Sequence, residues 1–236
     1  MRINVVTHCW AGKYPQFAAA LAYQLSSLVV HPTRADVRVV LLCTPTDMRV
    51  RRVTEYYDRQ VQIVQHFMAL DKLGRRSIGR NYAAMHLCAD ADVVWFTDVD
   101  YVFRAGCMDG LTDYEWPDGV SMIFPRAIKI SKTHPTGDAT LAMLEDKLGT
   151  MDVDPQDFTD KRYFRAIGGA QIVRGFFART HGYLNNDDRW QRPTDSPFSD
   201  TREDIQYRKF AQRHGSIVGI DLPGVYRLRH SGGHPD

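Results

Sequence analysis

Two carboxylates, Asp98 and Asp100, stand one residue apart at the end of the run Val93-Val94-Trp95-Phe96-Thr97. An apolar run this short, rich in β-branched and aromatic residues, predicts a buried strand. The acids then emerge where the strand leaves the core, which in an open α/β sheet is the end that binds ligands. Two acids crowded there repel each other, and burial sharpens the repulsion unless a cation joins them. A hard divalent ion, Mg²⁺ or Mn²⁺, prefers such oxygen ligands. The spacing therefore points to a metal that holds a phosphate-bearing substrate. A pair of surface acids that happens to end a strand has the same spelling.

Other residues suit the same chemistry. Gly74-Arg75-Arg76-Ser77-Ile78-Gly79-Arg80-Asn81 places three arginines in a Gly-containing loop that leads into a helix through Ala89. Such a loop beside a strand end suits a diphosphate clamp. Arg80, entering the helix beside Asn81, is the candidate contact, and a solvated basic turn is the plain alternative. Thr7-His8-Cys9-Trp10-Ala11-Gly12 follows the first apolar run. His8 or Trp10 offers a ring on which a nucleobase stacks; the alternative is a loop with a partly buried Trp. Gly168-Gly169 precedes a further apolar run and lets backbone approach a ligand closely. Glu203-Asp204 opens an amphipathic pattern, where acids also serve simply to complement the helix dipole. Asp47 suits a helix cap better than a ligand contact.

The elements that must carry these residues follow from periodicity. Ile3–Val6, 37–42 and 61–64 read as strands, separated by helices over 17–30 and 50–57. This β-α-β-α-β start predicts a parallel sheet with crossover helices. Strands follow over 120–124 and 217–220, a short helix over 175–183 with Gly182 as its stop, and a helix over 203–213 with Ile205, Phe210 and Ala211 on its apolar side. Residues 125–160 are poorly legible, with one helical stretch over 139–148. The polar loop 185–201, holding Trp190, reads as a candidate lid.

Bulk properties set bounds. The 236 residues, 44% hydrophobic and 25% charged, suit a globular chain with a real core. A net charge of +2 gives no support to a nucleic-acid partner. Cys9, Cys43, Cys88 and Cys107 form no C-x-x-C pair, so a zinc or thioredoxin-type centre is not indicated. No run approaches the ~18 apolar residues of a membrane span, and the N-terminus has no signal-peptide pattern. The expectation is a soluble cytoplasmic protein.

In this order the features resemble the GT-A fold glycosyltransferases. Gly79-Arg80-Asn81 and Phe96-Thr97-Asp98-Val99-Asp100 look like the inverting family 2. Ile167-Gly168-Gly169-Ala170, His181-Gly182-Tyr183, Glu203-Asp204 and Arg229-His230-Ser231 look like the C-terminal region of β-1,4-galactosyltransferases and polypeptide GalNAc-transferases. The resemblance covers nearly the whole chain. It implies one α/β GT-A domain over 1–236, a three-layer sandwich with a nucleotide-binding half (1–103) and an acceptor-binding half (104–236). It further implies a nucleoside-diphosphate sugar donor, expected to be UDP-linked, with transfer to an acceptor hydroxyl and inversion at the anomeric carbon. Asp98 would contact ribose or metal, and Asp100 and His230 would ligate Mn²⁺ or Mg²⁺. Thr7, His8 and Trp10 would hold the nucleobase. Arg80 would clamp the diphosphate, Gly168 and Gly169 would pass close to the sugar or acceptor, and Asp204, or else Glu203, would be the general base. Two departures stand out. The galactosyltransferases have Trp-Gly-Gly before the acidic pair, where this chain has Asp200-Thr201-Arg202, so Trp190 would have to reach in from the loop. Their metal-binding methionine falls at Arg227. Two rivals exist: Asp98-Val99-Asp100-Tyr101-Val102 also fits a haloacid-dehalogenase phosphatase signature, and a non-catalytic carbohydrate-binding protein could share the fold.

Overall fold

The computed structural model describes residues 1–12, 14–134, 148–194 and 202–230. The first half forms as the periodicity predicts: β1 (Arg2–His8), α1 (Gln16–Val30), β2 (Asp36–Cys43), α2 (Met48–Tyr57) and β3 (Gln62–Phe67). Asp47 caps α2, its Oδ1 accepting from the Val50 N–H at 3.2 Å, while its Oδ2 accepts from the Ala11 N–H at 2.6 Å. One carboxylate thus ends β2 and ties down the loop after β1. A short helix, α3 (Leu70–Leu73), leads to α4 (Arg76–Tyr82), which continues as a π-helical turn over Ala83–Leu87.

The acidic strand forms as β4 (Val93–Phe96). The chain then turns through Asp98 and Asp100 and re-enters as β5 (Tyr101–Phe103) in a different sheet. Next come α5 (Cys107–Thr112), β6 (Val120–Pro125), β7 (Ala127–Ser131) and β8 (Phe158–Arg162). The remainder is β9 (Gln171–Arg174), α6 (Gly175–His181), α7 (Asp188–Gln191), α8 (Glu203–His214), β10 (Ser216–Ile220) and β11 (Val225–Arg227). The helix expected over 139–148 falls on residues outside those described, apart from its last.

The main sheet has seven strands in the order β10-β6-β9-β4-β1-β2-β3. It is parallel throughout β4-β1-β2-β3 and again between β10 and β6, while β9 runs antiparallel to both β4 and β6. Side chains alternate across it, as strand geometry requires. Val5, Val39, Trp95 and Ile172 pack on the face covered by α1 and α2, and Val6, Val40, Phe96 and Val173 pack on the face with α6 and α8. This is the three-layer α/β arrangement expected. A second sheet, β5-β11-β7-β8, was not legible in the sequence. Its strands are three to five residues long, too short to show an alternation.

Four hydrogen bonds hold the acidic turn. Gln24 on α1, fully buried, donates from Nε2 to the carbonyls of Asp98 and Tyr101, both at 3.1 Å. The Phe103 N–H donates to Ser27 Oγ at 3.0 Å, and the Leu228 N–H donates to the Asp100 carbonyl at 2.8 Å. The turn is therefore pinned to α1 on one side and to the chain after β11 on the other. The donors and carbonyls of these contacts are paired, as buried polar groups require, while Gln24 Oε1 is left without a partner.

Candidate active site

The two acids of the turn have different partners. Asp98 Oδ1 accepts from Arg76 Nη1 at 2.8 Å and from Arg80 Nη2 at 3.0 Å. Residues four apart on a helix share one face, so Arg76 and Arg80 reach the same oxygen. The sequence pattern hid this by placing Arg76 in a loop; the structure puts it at the first position of α4. Burial alone would raise the Asp98 pKa, but Arg76 and Arg80 outweigh it and bring it down to about 2. Arg80 is wholly enclosed, donating also to Tyr183 Oη at 3.0 Å and to the Thr97 carbonyl at 3.2 Å. A guanidinium held this way positions Asp98, so the expectation that Arg80 itself grips a diphosphate is corrected.

Asp100 faces the other way. It is 2% exposed, and its Oδ2 accepts from Arg227 Nε at 2.9 Å. His230 Nε2 lies 3.8 Å from the same oxygen, too far for a hydrogen bond. Asp100 Oδ1 and His230 Nδ1 are buried and have no hydrogen-bond partner. Asp100 raises the Arg227 pKa, and burial opposes it. Among the described residues no three His, Cys, Asp or Glu side chains gather at one point. The two unsatisfied atoms in this corner nevertheless suit a hard cation with two protein ligands, the rest coming from phosphate and water. Asp98, committed to two arginines, fits that shell poorly.

The acidic pair also divides. Glu203, Tyr207 and Ala211 recur every four residues and form the buried stripe of α8, so Glu203 is drawn inside at 1% exposure. There its carboxylate accepts from Arg76 Nε at 2.9 Å and from the Ser77 N–H at 2.8 Å, capping the start of α4. Glu203 is thus a structural anchor and is corrected as a candidate base. Ile205, expected on the apolar side, is exposed because it stands two residues, about 200° of helical turn, from Glu203 and so points away from the stripe. Asp204 sits beside the stripe, half-buried. Its Oδ1 accepts from the Ile205 N–H and its carbonyl from Gln171 Nε2, both at 2.8 Å. Burial raises the Asp204 pKa, Arg76 and Arg80 counter it, and Asp98 adds to it. A carboxylate with raised proton affinity within electrostatic reach of Asp98 has the character of a general base.

The glycine pair serves this carboxylate and the turn. A Cβ at Gly168 would stand 2.6 Å from Asp204 Oδ2, and one at Gly169 2.2 Å from the Tyr101 ring. The Gly169 carbonyl accepts from Trp95 Nε1 at 3.1 Å. The close approach is to the protein itself. At the end of β1, Thr7 is fully buried with an unpartnered hydroxyl. His8 lies under α4, where a Cβ on Gly79 would come within 2.4 Å of its Nε2. Burial, then Arg80 and Arg76, push the His8 pKa well down, so the ring is neutral. Thr7 is enclosed, and the buried His8 beside it presents no stacking surface. Trp10 does, half-buried at the end of a line of rings. Trp10 and Tyr14 lie 6.3 Å apart between centroids, Tyr14 and Phe17 5.5 Å, and Phe17 and His230 5.0 Å. This rail connects the β1 loop to the Asp100 corner. Sequence reasoning missed Tyr14, which lies before the helix expected over 17–30, and took Phe17 only as the first residue of that helix.

Trp190 is 2% exposed on α7, its carbonyl accepting from Ser77 Oγ. It is packed against α4 and cannot reach an acceptor, so the substitution expected of it fails. The His181-Gly182-Tyr183 segment holds α4 from the other end. Gly182 has φ +63°, and the Tyr183 N–H donates to Asn81 Oδ1 at 3.0 Å. A Cβ on Gly182 would lie 2.2 Å from that oxygen.

No protein family and no curated protein matches the sequence. Solved structures do match the fold. Residues 1–349 of TarS from S. aureus align at a TM-score of 0.53 and 16% identity, over 97% of this chain and 60% of that one. TarS in complex with UDP aligns at 0.53 and 17%, over 96% and 60%. The galactosyltransferase LgtC, in complex with donor and acceptor sugar analogues, aligns at 0.52 and 15%, over 98% and 88%. This chain therefore spans about three fifths of the TarS chain it matches. The fold is that of the GT-A nucleotide-diphospho-sugar transferases, which removes the phosphatase rival's fold. No helix among the described residues is long and apolar enough to cross a membrane.

Proposed function

We propose that the protein transfers a sugar from a nucleoside-diphosphate donor to an acceptor hydroxyl, with inversion at the anomeric carbon. The observation that carries this reading is Asp204, a half-buried carboxylate of raised pKa beside the acidic turn of a GT-A fold. Asp204 accepts the proton from the attacking hydroxyl. The ring rail from Trp10 takes the nucleobase, with its far end at His230. Asp98, fixed by Arg76 and Arg80, meets the ribose side of the nucleotide. Asp100 and His230 would hold a divalent ion, Mn²⁺ or Mg²⁺, whose charge would offset that of the diphosphate. The UDP bound by TarS supports UDP as the first nucleotide to test.

The test is thermal stability with UDP, GDP, CDP and ADP, each with and without Mn²⁺. A ligand at ~100 times its dissociation constant adds about 2.7 kcal/mol, an easily read shift. One nucleotide acting only together with the ion supports the reading and names the base. No response to any pair removes the donor site. Asp204→Asn keeps the nucleotide response and loses ~100-fold or more in turnover; full turnover in that variant takes Asp204 out of the mechanism.

A further inference from the structure

A second groove, of about 550 Å³, opens where the main sheet meets the small one. Its floor is Phe124, Ile217 and Gly219, from the ends of β6 and β10. Arg126 and Arg162 line it, and Phe164 stands at its side 96% exposed. A ring that size left in solvent costs the protein apolar surface and gains nothing within the fold. Gly219 has a specific part: a Cβ there would come 2.7 Å from Arg126 Cγ and 2.9 Å from the Phe124 ring. Its absence lets the Arg126 stem lie across the sheet, with the side chain as a whole 58% exposed.

The charge of the groove is positive. Asp221 is the one acid on its wall, 89% exposed and 4.0 Å from Arg126. Arg162 and Arg165, both exposed, form no side-chain ion pair among the described residues. Arg208 lies close enough to Arg165 to be disfavoured by it, and donates from Nη1 to the Ala166 carbonyl at 2.7 Å. From Phe164 the chain runs through Arg165 and Ala166 to Gly168, which touches Asp204. Guanidinium groups next to an exposed aromatic ring suit a sugar ring carrying an oxyanion.

We propose that this groove binds an anionic acceptor glycan, one whose phosphate or carboxylate group meets Arg126 and Arg162 while a neighbouring sugar ring lies on Phe164. This deepens the glycosyltransferase reading and rests on it for the word acceptor. The binding itself does not depend on that reading.

The experiment is titration calorimetry of the full chain with three matched tetrasaccharides: neutral maltotetraose, phosphorylated maltotetraose and oligogalacturonate. The anionic sugars should bind roughly tenfold or more tightly than the neutral one, a gap of the size of one charge-assisted hydrogen bond. The better of the two anionic sugars names phosphate or carboxylate. The gap should close in Arg126→Gln/Arg162→Gln and in 0.5 M NaCl, where exposed charges are screened. Phe164→Ala should weaken all three sugars alike. Equal binding of neutral and anionic sugars, no binding of any, or a gap unchanged in the double variant overturns the proposal. The nucleotide-induced thermal shift is read on the same samples. A retained shift with no anion preference fails the groove alone; anion preference with no nucleotide shift fails the donor reading alone.

Discussion

Arg76→Met tests the joint that connects the two halves of the site. Arg76 is 16% exposed and bridges Asp98 at 2.8 Å and Glu203 at 2.9 Å. Breaking a buried ion pair by removing one partner costs about 3–5 kcal/mol, because the other charge stays buried without compensation. Here both carboxylates keep a donor, Asp98 from Arg80 and Glu203 from the Ser77 N–H, so the lower end applies, about 3 kcal/mol. For a domain of this size that is a melting-point loss of roughly 6–12 °C. Equilibrium urea unfolding gives the free energy directly. Adding Glu203→Gln to the Arg76→Met protein removes the stranded charge and should recover more than ~1 kcal/mol, a coupling readable as a double-mutant cycle. A second signature follows at Asp204. Arg76 is the main charge opposing the rise of its pKa, so the acid limb of the turnover profile should move to higher pH in the variant. A stability loss below ~0.5 kcal/mol, or an acid limb that stays put, would mean that Arg76 is a screened surface arginine and that the joint has been misread.

Three further outcomes follow. Gly168→Ala puts a methyl 2.6 Å from Asp204 Oδ2, so turnover should fall about 100-fold, as for a reacting group displaced by about an ångström, while the nucleotide-induced thermal shift is kept; normal turnover would place the base elsewhere. Arg227→Met takes a cation off Asp100, and binding of Mn²⁺ to the nucleotide-free protein, read from the free-ion spin resonance signal, should tighten by about tenfold or more; unchanged or weaker binding would remove Asp100 from the metal shell. The pH dependence of stability has a defined sign at Asp98. Its folded pKa, about 2, lies below the ordinary 3.8, so its contribution of about 2 kcal/mol is present above pH ~4 and is lost as the pH falls toward 2. Asp98→Asn should flatten that part of the urea-stability profile, and an unaltered profile would refute the double-arginine clamp.

The sequence carried the skeleton because the skeleton is written in periodicity. β1, β2 and β4 are short apolar runs, and α1, α2 and α8 show apolar repeats at helical spacing long enough to stand out; which face of each strand meets which helices is visible only in the structure. The small sheet escaped because a strand of three residues, such as β5 or β11, has no period to read. Site residues were legible by type and far less by orientation. Arg76 looked like part of a basic loop although its spacing of four from Arg80 was in plain view. Glu203 and Asp204 are neighbours in sequence, yet the Glu203-Tyr207-Ala211 stripe takes one into the core and leaves the other half-buried beside it. Thr7 and His8 had suitable chemistry for a base pocket but belong to a strand packed on both faces, so their side chains were committed to the interior.

The same distinction explains why a D-x-D pair need not behave as a pair. Residues 98 and 100 would share a side only in an extended strand, and this chain leaves β4 at Phe96 and turns before β5 begins at Tyr101. In a turn the two carboxylates answer to whatever flanks them. Asp98 meets the α4 arginines, which arrive from the first half of the chain, and Asp100 meets Arg227 and His230, which arrive from the last. The turn is thereby the point where the two halves are joined. Arg76 extends the junction to Glu203, and so to the helix whose next residue is Asp204. A ligand that draws on Asp98 must alter the field at Arg76 and, through it, the proton affinity of Asp204. Under the proposed function, donor occupancy and base strength would be coupled through this charge network, Asp98 acting on Asp204 directly as well as through Arg76 and Arg80, and by linkage the coupling would run equally in both directions.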